Sequence, residues 1–187
     1  MTGIGHNGGP GIPTSGWQRY AWRRARAELL PTLPIEIVRR RVRRARELGI
    51  DYKSYASIRA ATGRDVIALL FSSNALKVGP KVVAIPETEA TRLTALTRTT
   101  RLAATHLPLA PTRLLAANPG LLDRADTAPT LAQGWSETRE VLHRMTGAEG
   151  LPSDAVVVVG ETMLEQEWAI AGRMAGYLDA HRYFAST

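Results

Sequence analysis

The stretch Asp154-Ala-Val-Val-Val-Val-Gly160 decides the fold class of this chain, because four consecutive valines form a short and wholly apolar run of β-branched residues. Such a run, bounded by a glycine, is typical of a buried β-strand. Residues 162–178 then have a helical pattern that is rich in alanine. A buried strand followed by a helix predicts an α/β fold.

The residues before this stretch predict further elements of a small α/β domain. Apolar or β-branched runs indicate strands, prolines indicate helix starts and breaks, and a serine ahead of a periodic segment indicates a helix cap. In chain order we expect a buried strand or a buried helix at 66–71, a strand at 82–85, a helix from 87 to about 106, a connecting segment with at most short helices at 108–134, and a helix over 136–145 capped by Ser136.

The net charge is concentrated at the amino-terminal end. Residues 1–50 contain ten arginines and three glutamates, a surplus of seven, whereas residues 51–187 balance fourteen basic against fourteen acidic groups. GC-rich coding can enrich arginine throughout a chain, so the asymmetry carries more weight than the composition. A basic segment joined to a neutral remainder predicts a surface for an anionic partner, and nucleic acid is the first candidate.

Several classes of protein are excluded by composition and local pattern. The chain has no cysteine, so it forms no disulfide and has no thiolate chemistry. Its longest apolar stretch, residues 66–76, has eleven residues and is too short to cross a bilayer. The amino terminus lacks the pattern of a secretory signal, so we expect a cytoplasmic protein with no membrane partner. Scattered histidines and missing nucleotide motifs predict no cofactor.

Composition and charge together divide the chain into three regions. Residues 1–16 are rich in glycine and proline and are expected to form a flexible arm. Residues 17–63 predict a basic helical region, whose first helix covers 16–30 and ends before Pro31. Residues 64–187 predict the small α/β domain.

The helix predicted over 35–48 has one apolar and one basic face. Pro34 suits the first turn of a helix, and Gly49 suits its end. Apolar residues recur at steps of three and four, with arginines mainly on the opposite side. The apolar face contains Ile35, Val38, Val42 and Ala45, and the basic face contains Arg39, Arg40, Arg43 and Arg46.

Residues 45–58 resemble a helix-turn-helix. Ala45 allows two helices to approach, Gly49 permits a tight turn, and a second helix, predicted over 52–61, would then enter a DNA major groove. An ordinary helical hairpin with a solvated basic face explains the same pattern equally well. In the helix-turn-helix interpretation, the arginines of the first helix contact the DNA backbone, and the residues offered to bases and phosphates are Tyr52, Lys53, Ser54, Ser57 and Arg59.

The opening residues, Gly3-Ile-Gly-His-Asn-Gly-Gly-Pro10, match the G-x-G-x-x-G pattern of dinucleotide-binding proteins. That motif needs a preceding strand, and only two residues precede it here. The same residues resemble a leader found on small proteins of alphaproteobacterial phages and prophages, several of which bind DNA. The resemblance covers these residues alone, and it implies a phage-related setting.

The predicted strand continues into Ala155-Val-Val-Val-Val-Gly160-Glu161-Thr-Met-Leu-Glu165, and an alanine-rich helix follows. This segment is similar to the last acidic motif of the haloacid dehalogenase-like hydrolases, in which a strand ends in two carboxylates, usually aspartates, that hold magnesium. The resemblance implies an α/β fold with Glu161 and Glu165 as ligands of magnesium. Carboxylate oxygens suit such a hard cation.

The chain differs from the hydrolase pattern at the nucleophile. The family carries an Asp-x-Asp pattern after an early strand, and no Asp-x-Asp occurs in this sequence. Phe71-Ser-Ser-Asn74 is similar to the family's second motif, a serine or threonine at a strand end. The resemblance therefore favours an inherited fold over an active phosphatase, and a strand followed by a helix with solvated glutamates is the simpler interpretation.

These patterns predict a nucleic-acid-binding regulator or phage-type accessory protein, with DNA as the expected partner and the α/β domain serving a protein partner or a homodimer. One alternative is a degenerate haloacid dehalogenase-like hydrolase domain, with magnesium as its cofactor, and another is a structural or adaptor protein of a phage-like particle. No catalytic residue is predicted. Convergence of Glu161, Glu165 and Ser72 in one cleft would favour the hydrolase origin, whereas an exposed arginine face within 35–59 would favour nucleic acid.

Overall fold

The structure, a computed structural model, describes residues 33–185. The chain divides into two units at residue 38, and only 33–38 of the first unit are described. The arm expected at 1–16 and the helix expected at 16–30 lie outside the described residues. The second unit begins at residue 39 and contains the β-sheet.

Seven α-helices, one 3-10 helix and five strands occur in the described part of the chain. None of these helices is long and apolar enough to cross a membrane. The helices are α1 (Ile35–Glu47), α2 (Tyr52–Thr62), α3 (Glu87–Ala95), α4 (Pro111–Ala117), α5 (Trp135–Gly147), α6 (Met163–Ala171) and α7 (Ala180–Ala185), with the 3-10 turn at Ser153–Ala155. The strands are β1 (Ala68–Ser72), β2 (Thr100–Thr105), β3 (Arg124–Thr127), β4 (Val156–Gly160) and β5 (Gly176–Asp179).

The five strands form one parallel sheet in the order β3-β2-β1-β4-β5. The central strand, β1, pairs with β2 on one side and with β4 on the other. Ala68 of β1 is opposite Thr100 of β2 and opposite Val156 of β4. The chain therefore moves outward from β1 to β3 and then returns to the other side of β1 for β4 and β5. The predicted α/β class is confirmed, with helices ahead of the sheet.

Helices cover both faces of the sheet. Leu69 and Phe71 of β1 point to the face covered by α1 to α4 and α7. Leu70 of the same strand points to the face covered by α5 and α6. Because β1 and β4 are buried along their whole length, both are continuous apolar runs rather than alternating ones.

A tight turn joins α1 and α2, as the sequence predicts. Gly49 has a φ of +64°, a left-handed conformation that glycine adopts at little cost. On α1, Ala45 is buried whereas Ile35 is 60% exposed. The predicted apolar face is therefore correct only at the carboxyl-terminal end of α1, because its contacts with the core come from Ala45 and from Leu48 just after the helix.

Two predicted helices are shorter than expected, because a strand follows each of them. The helix expected to reach about residue 106 ends at Ala95, and β2 follows. The helix expected over 162–178 ends at Ala171, and β5 follows. Both strands obtain their hydrogen bonds from distant parts of the chain, β1 and β4, which the local periodicity of the sequence does not show.

The remaining strand predictions have mixed outcomes. Residues 66–71 contain a strand, β1, which was one of the two alternatives. The strand predicted at 82–85 is wrong: this segment is a loop, and the Asn118 side chain accepts at 2.8 Å from one of its N–H groups and donates at 2.9 Å to one of its carbonyls. The segment 108–134 contains the short helix α4, but also the strand β3, which has no recognisable apolar run.

Candidate functional site

The arginine surface, as we call Arg39, Arg40, Arg43 and Arg46, lies on α1, and all four side chains are exposed. An α-helix has about 3.6 residues per turn, so Arg39, Arg43 and Arg46 lie within an arc of about 60° along about 10 Å of helix. The structure therefore brings the predicted nucleic-acid-binding arginines together on one side of α1.

Arg44 differs from these arginines, although no sequence pattern distinguishes it. Its guanidinium donates to the Glu47 carboxylate at 2.9 Å and to the backbone carbonyls of Val66 at 2.7 Å and Arg98 at 3.0 Å. Val66 precedes β1 and Arg98 precedes β2. Arg44 therefore attaches α1 to the amino edge of the sheet and holds the arginine surface in place.

The second predicted helix, α2, packs on the sheet. Tyr55 is buried, and its hydroxyl donates to Asp65 at 2.7 Å. Burial raises the pKa of Tyr55, and the hydrogen bond to Asp65 raises it further. Ile58 lies against Gly176 of β5, where an added Cβ would be 3.4 Å from the Ile58 side chain. One side of α2 therefore belongs to the core.

The residues of α2 predicted to contact DNA differ in their surroundings. The Ser54 hydroxyl donates to the carboxylate that caps α2. The Arg59 guanidinium lies 3.7 Å from Asp65. Tyr52 is half-buried against the core, and Lys53 is exposed. Ser57 is exposed as well, so two of the five predicted side chains are engaged within the protein.

Polar side chains also meet at the opposite edge of the sheet, where β1, β2 and β4 end. Asn74 Nδ2 donates to Glu165 Oε1 at 2.9 Å, and His106 Nε2 lies 3.7 Å from the same oxygen. Ser73 Oγ is 2.8 Å from His106 Nδ1. We call Ser73, Asn74, His106 and Glu165 the carboxyl-edge network. In α/β sheets, ligands bind at this edge, where the strand order reverses.

Glu165 is fully buried within this network. Its Oε2 accepts from the N–H groups of Glu161 at 2.6 Å and Thr162 at 2.9 Å, while Thr162 Oγ1 accepts from Glu165 N at 3.3 Å. This reciprocal pair is the capping box that begins α6. A Cβ on Gly160 would lie 2.8 Å from Glu165 Cβ, so glycine is required there. The interpretation of solvated glutamates is wrong for Glu165.

The two glutamates are not arranged as a magnesium site. Both Glu165 oxygens already accept from N–H donors, and Glu161 is exposed beside a neighbouring cavity. Among the residues that the structure describes, no group of three or more His, Cys, Asp and Glu side chains is suited to hold a metal ion. Ser72 lies at the same edge but outside the network, and its hydroxyl accepts from Ala75 N at 3.0 Å.

The partly exposed His106 is the member of the network that carries an ionisable ring near solvent. The His106 ring stacks on buried Trp168, with 5.4 Å between ring centroids, and its side chain is 29% exposed. Nδ1 is hydrogen-bonded to Ser73, whereas Nε2 lies beyond hydrogen-bond distance of Glu165 and can form a hydrogen bond with a polar ligand. His106 has no neighbouring motif in the sequence, and the strand that positions it, β2, is predicted from the sequence as the end of a helix, so no local signal indicates this role.

A cavity of about 220 Å³ lies beside the carboxyl edge. One wall is the buried Glu89, whose Oε1 lies 2.6 Å from Lys77 Nζ. The interaction in which the Lys77 ammonium donates to the Glu89 carboxylate raises the pKa of Lys77. Neither residue belongs to a sequence motif, and the pair forms because the turn after β1 meets the first turn of α3.

The arginine surface and the carboxyl-edge network lie at opposite ends of the strands. Arg44 contacts residues that precede β1 and β2, whereas the network residues follow β1, β2 and β4. A six-residue strand such as β2 is about 20 Å long. A small ligand bound by the network therefore does not reach the arginine surface.

These features define a doubly wound parallel α/β domain with an arginine-bearing helix at its amino edge. No protein-family model matches the chain, and neither a curated protein nor a solved structure is significantly similar to it. Its function is therefore inferred from its own residues.

Proposed function

We propose that this chain is a nucleic-acid-binding protein, a regulator or phage-type accessory protein that contacts phosphates through the arginine surface. The proposal depends on one observation: four arginines are exposed on a helix that Arg44 attaches to the sheet. Guanidinium groups bind phosphate oxygens through paired hydrogen bonds. Because these groups are carried by a packed element, little backbone ordering is needed on binding.

The dimensions of the arginine surface suit a nucleic-acid strand. Arg39, Arg43 and Arg46 extend along about 10 Å of helix, and one strand of a duplex carries a phosphate about every 3.4 Å along its axis. The surface therefore spans about three phosphates. The surplus of seven basic groups in residues 1–50 would attract a polyanion toward this end of the chain.

The test is a titration of the full-length protein against a short fluorescent duplex, with single-stranded DNA and RNA of equal length, at several salt concentrations. Log affinity should fall linearly with log salt, because binding releases counterions from the phosphates. Replacing Arg39, Arg40 and Arg43 by alanine should lower the magnitude of the slope by about two to three. All three are exposed, so the variant should keep the wild-type circular dichroism spectrum.

A matched variant controls for the loss of charge. Replacing Arg113, Arg144 and Arg173 by alanine removes the same charge from exposed positions on other elements. This variant should bind with the wild-type slope. Absence of binding at low salt, binding that does not depend on salt, or an equal loss in the matched variant would contradict the proposal.

A hydrolase-related origin of the α/β domain is a second candidate, favoured by the polar residues at the carboxyl edge. Glu161 and Glu165 follow β4, as the resemblance to the haloacid dehalogenase-like hydrolases implies. Ser72 ends β1 and Ser73 and Asn74 follow it, as the resemblance to the family's second motif, a serine or threonine at a strand end, implies. The chain has no Asp-x-Asp to supply a nucleophilic carboxylate, so these residues fit a ligand-binding cleft better than a phosphatase.

For this second candidate we predict no magnesium-dependent hydrolysis of p-nitrophenyl phosphate above the buffer rate, because no carboxylate follows β1 closely. The release of nitrophenolate, followed by absorbance, measures the rate. Robust turnover that disappears in both Asn74→Ala and Glu161→Gln would place the hydrolase ahead of the nucleic-acid-binding protein.

A further inference from the structure

The turn before β2 places another arginine beside the arginine surface. The Arg98 side chain is 80% exposed, and its backbone carbonyl accepts from Arg44 Nη2 at 3.0 Å. On the same turn, Thr97 N donates to the carbonyl of Glu47 at 3.3 Å. Side-chain and backbone hydrogen bonds thus hold α1 and this turn together.

The Arg98 guanidinium lies on the flank of the arginine surface. Its Nη1 is 3.8 Å from Glu47 Oε1, and Glu47 is one helical turn after Arg43, a separation at which side chains are neighbours. The Glu47 carboxylate is largely buried and already accepts from Arg44 at 2.9 Å. The exposed Arg98 guanidinium is therefore only loosely paired and can turn toward a phosphate.

Of the five α2 side chains predicted to contact DNA, two are engaged within the protein, whereas Lys53 and Ser57 are exposed. The Ser54 hydroxyl donates to Asp51, and Arg59 is paired with Asp65. The side of α2 that carries Tyr55 packs into the core. Contacts from guanidinium groups to phosphates position a nucleic acid without distinguishing its sequence.

We infer that the arginine surface together with Arg98 binds the phosphate backbone of nucleic acid without regard to base sequence. The inference rests on the proposed function, to which it adds a contact residue outside the basic region and the type of recognition. The arginine surface and Arg98 together supply five guanidinium groups, carried by α1 and by the turn to which Arg44 joins it through a hydrogen bond. Affinity for such a set of groups is set by ionic strength rather than by sequence.

The experiment uses two duplexes of equal length and unrelated sequence, titrated over a range of salt with the full-length protein, Arg98→Ala and Arg173→Ala. Arg173 is a matched control, because it is exposed on a loop with a φ of +51°, against +54° for Arg98. Wild type should bind the two duplexes with affinities that agree within about twofold. Arg98→Ala should lower the magnitude of the slope of log affinity against log salt by about one for both duplexes. Arg173→Ala and Arg98→Lys, which keeps the charge, should keep the wild-type slope.

The outcomes separate this inference from the proposed function. If Arg98→Ala keeps the wild-type slope while replacement of Arg39, Arg40 and Arg43 lowers it, the extension to Arg98 is wrong and the proposed function stands. A preference of about tenfold or more for one duplex overturns sequence independence. If wild type binds neither duplex at low salt, both fail, and binding to anionic lipid vesicles alone would assign the surface to a membrane.

Discussion

Glu165 is a buried carboxylate that joins the ends of two strands. Its Oε1 accepts from Asn74, which follows β1, and its Oε2 accepts from two backbone N–H groups at the start of α6. Hydrogen bonds to an ionised acceptor are about twice as strong as those between neutral groups. The positive end of the α6 dipole adds to this stabilisation. Glu165 therefore acts as a structural link between β1 and α6.

We predict that Glu165→Gln lowers the free energy of unfolding by about 1 to 2 kcal/mol, because the three hydrogen bonds that Glu165 accepts lose the negative charge that strengthens them. Glu161→Gln, at the exposed neighbouring position, should change it by less than about 0.5 kcal/mol. Urea denaturation followed by circular dichroism measures both. Equal stability of the two variants would refute the structural role of Glu165.

At the scale of the element, α2 begins at a cap formed by Asp51. The Ser54 hydroxyl donates to Asp51 Oδ2, and Ser54 N donates to Oδ1 at 2.9 Å. These hydrogen bonds hold the pKa of Asp51 below its ordinary value of 3.8. The folded protein therefore favours the ionised carboxylate.

Removing the cap with Asp51→Ala should lower the free energy of unfolding by about 1 kcal/mol at neutral pH. Because the folded pKa is lowered, the contribution of the charge is present above about pH 4 and is lost as the pH falls through the folded pKa. The difference in stability between wild type and Asp51→Ala, measured by urea denaturation, should therefore shrink in acid. The difference between Asp51→Asn and Asp51→Ala should stay constant, since neither residue titrates. If the difference in stability between wild type and Asp51→Ala does not change with pH, the ionised cap at Asp51 is contradicted.

For the whole molecule, the sheet separates two chemically different edges. The amino edge carries the arginine surface and Arg98, joined through Arg44. The carboxyl edge carries the network around Glu165 and the cavity beside Lys77. Because the two edges are separated by the length of the strands, about 20 Å, a ligand bound at one edge does not contact the other.

We predict that binding of duplex DNA slows amide hydrogen exchange in α1 and in residues 97–99, and leaves residues 73–77 and 161–165 unchanged. Mass spectrometry of the exchanged peptides, with and without the duplex, measures this. At a salt concentration that prevents binding, the protection should vanish. Protection confined to the carboxyl edge would place the ligand at the network instead.

The sequence by itself determined the features that depend on near neighbours. The valine run of β4 is buried as predicted, α1 and α2 occur with a turn at Gly49, and the arginines predicted to be solvated are exposed. Each of these follows from a short-range rule, such as a run of β-branched residues, a helical repeat or a left-handed glycine. Side-chain direction in a single element is set by that element's own period.

Only the tertiary structure decided which segments became β2, β3 and β5. It also decided which charged side chains form hydrogen bonds within the protein. Arg44 and Arg43 are adjacent and identical in type, yet only Arg44 meets the carbonyls of Val66 and Arg98. Asn74 and Glu165 are 91 positions apart and meet only because β1 and β4 are neighbours in the sheet. The physical reason is that strand pairing and buried hydrogen bonds join residues distant along the chain, and a local pattern does not record which distant partner packing will supply.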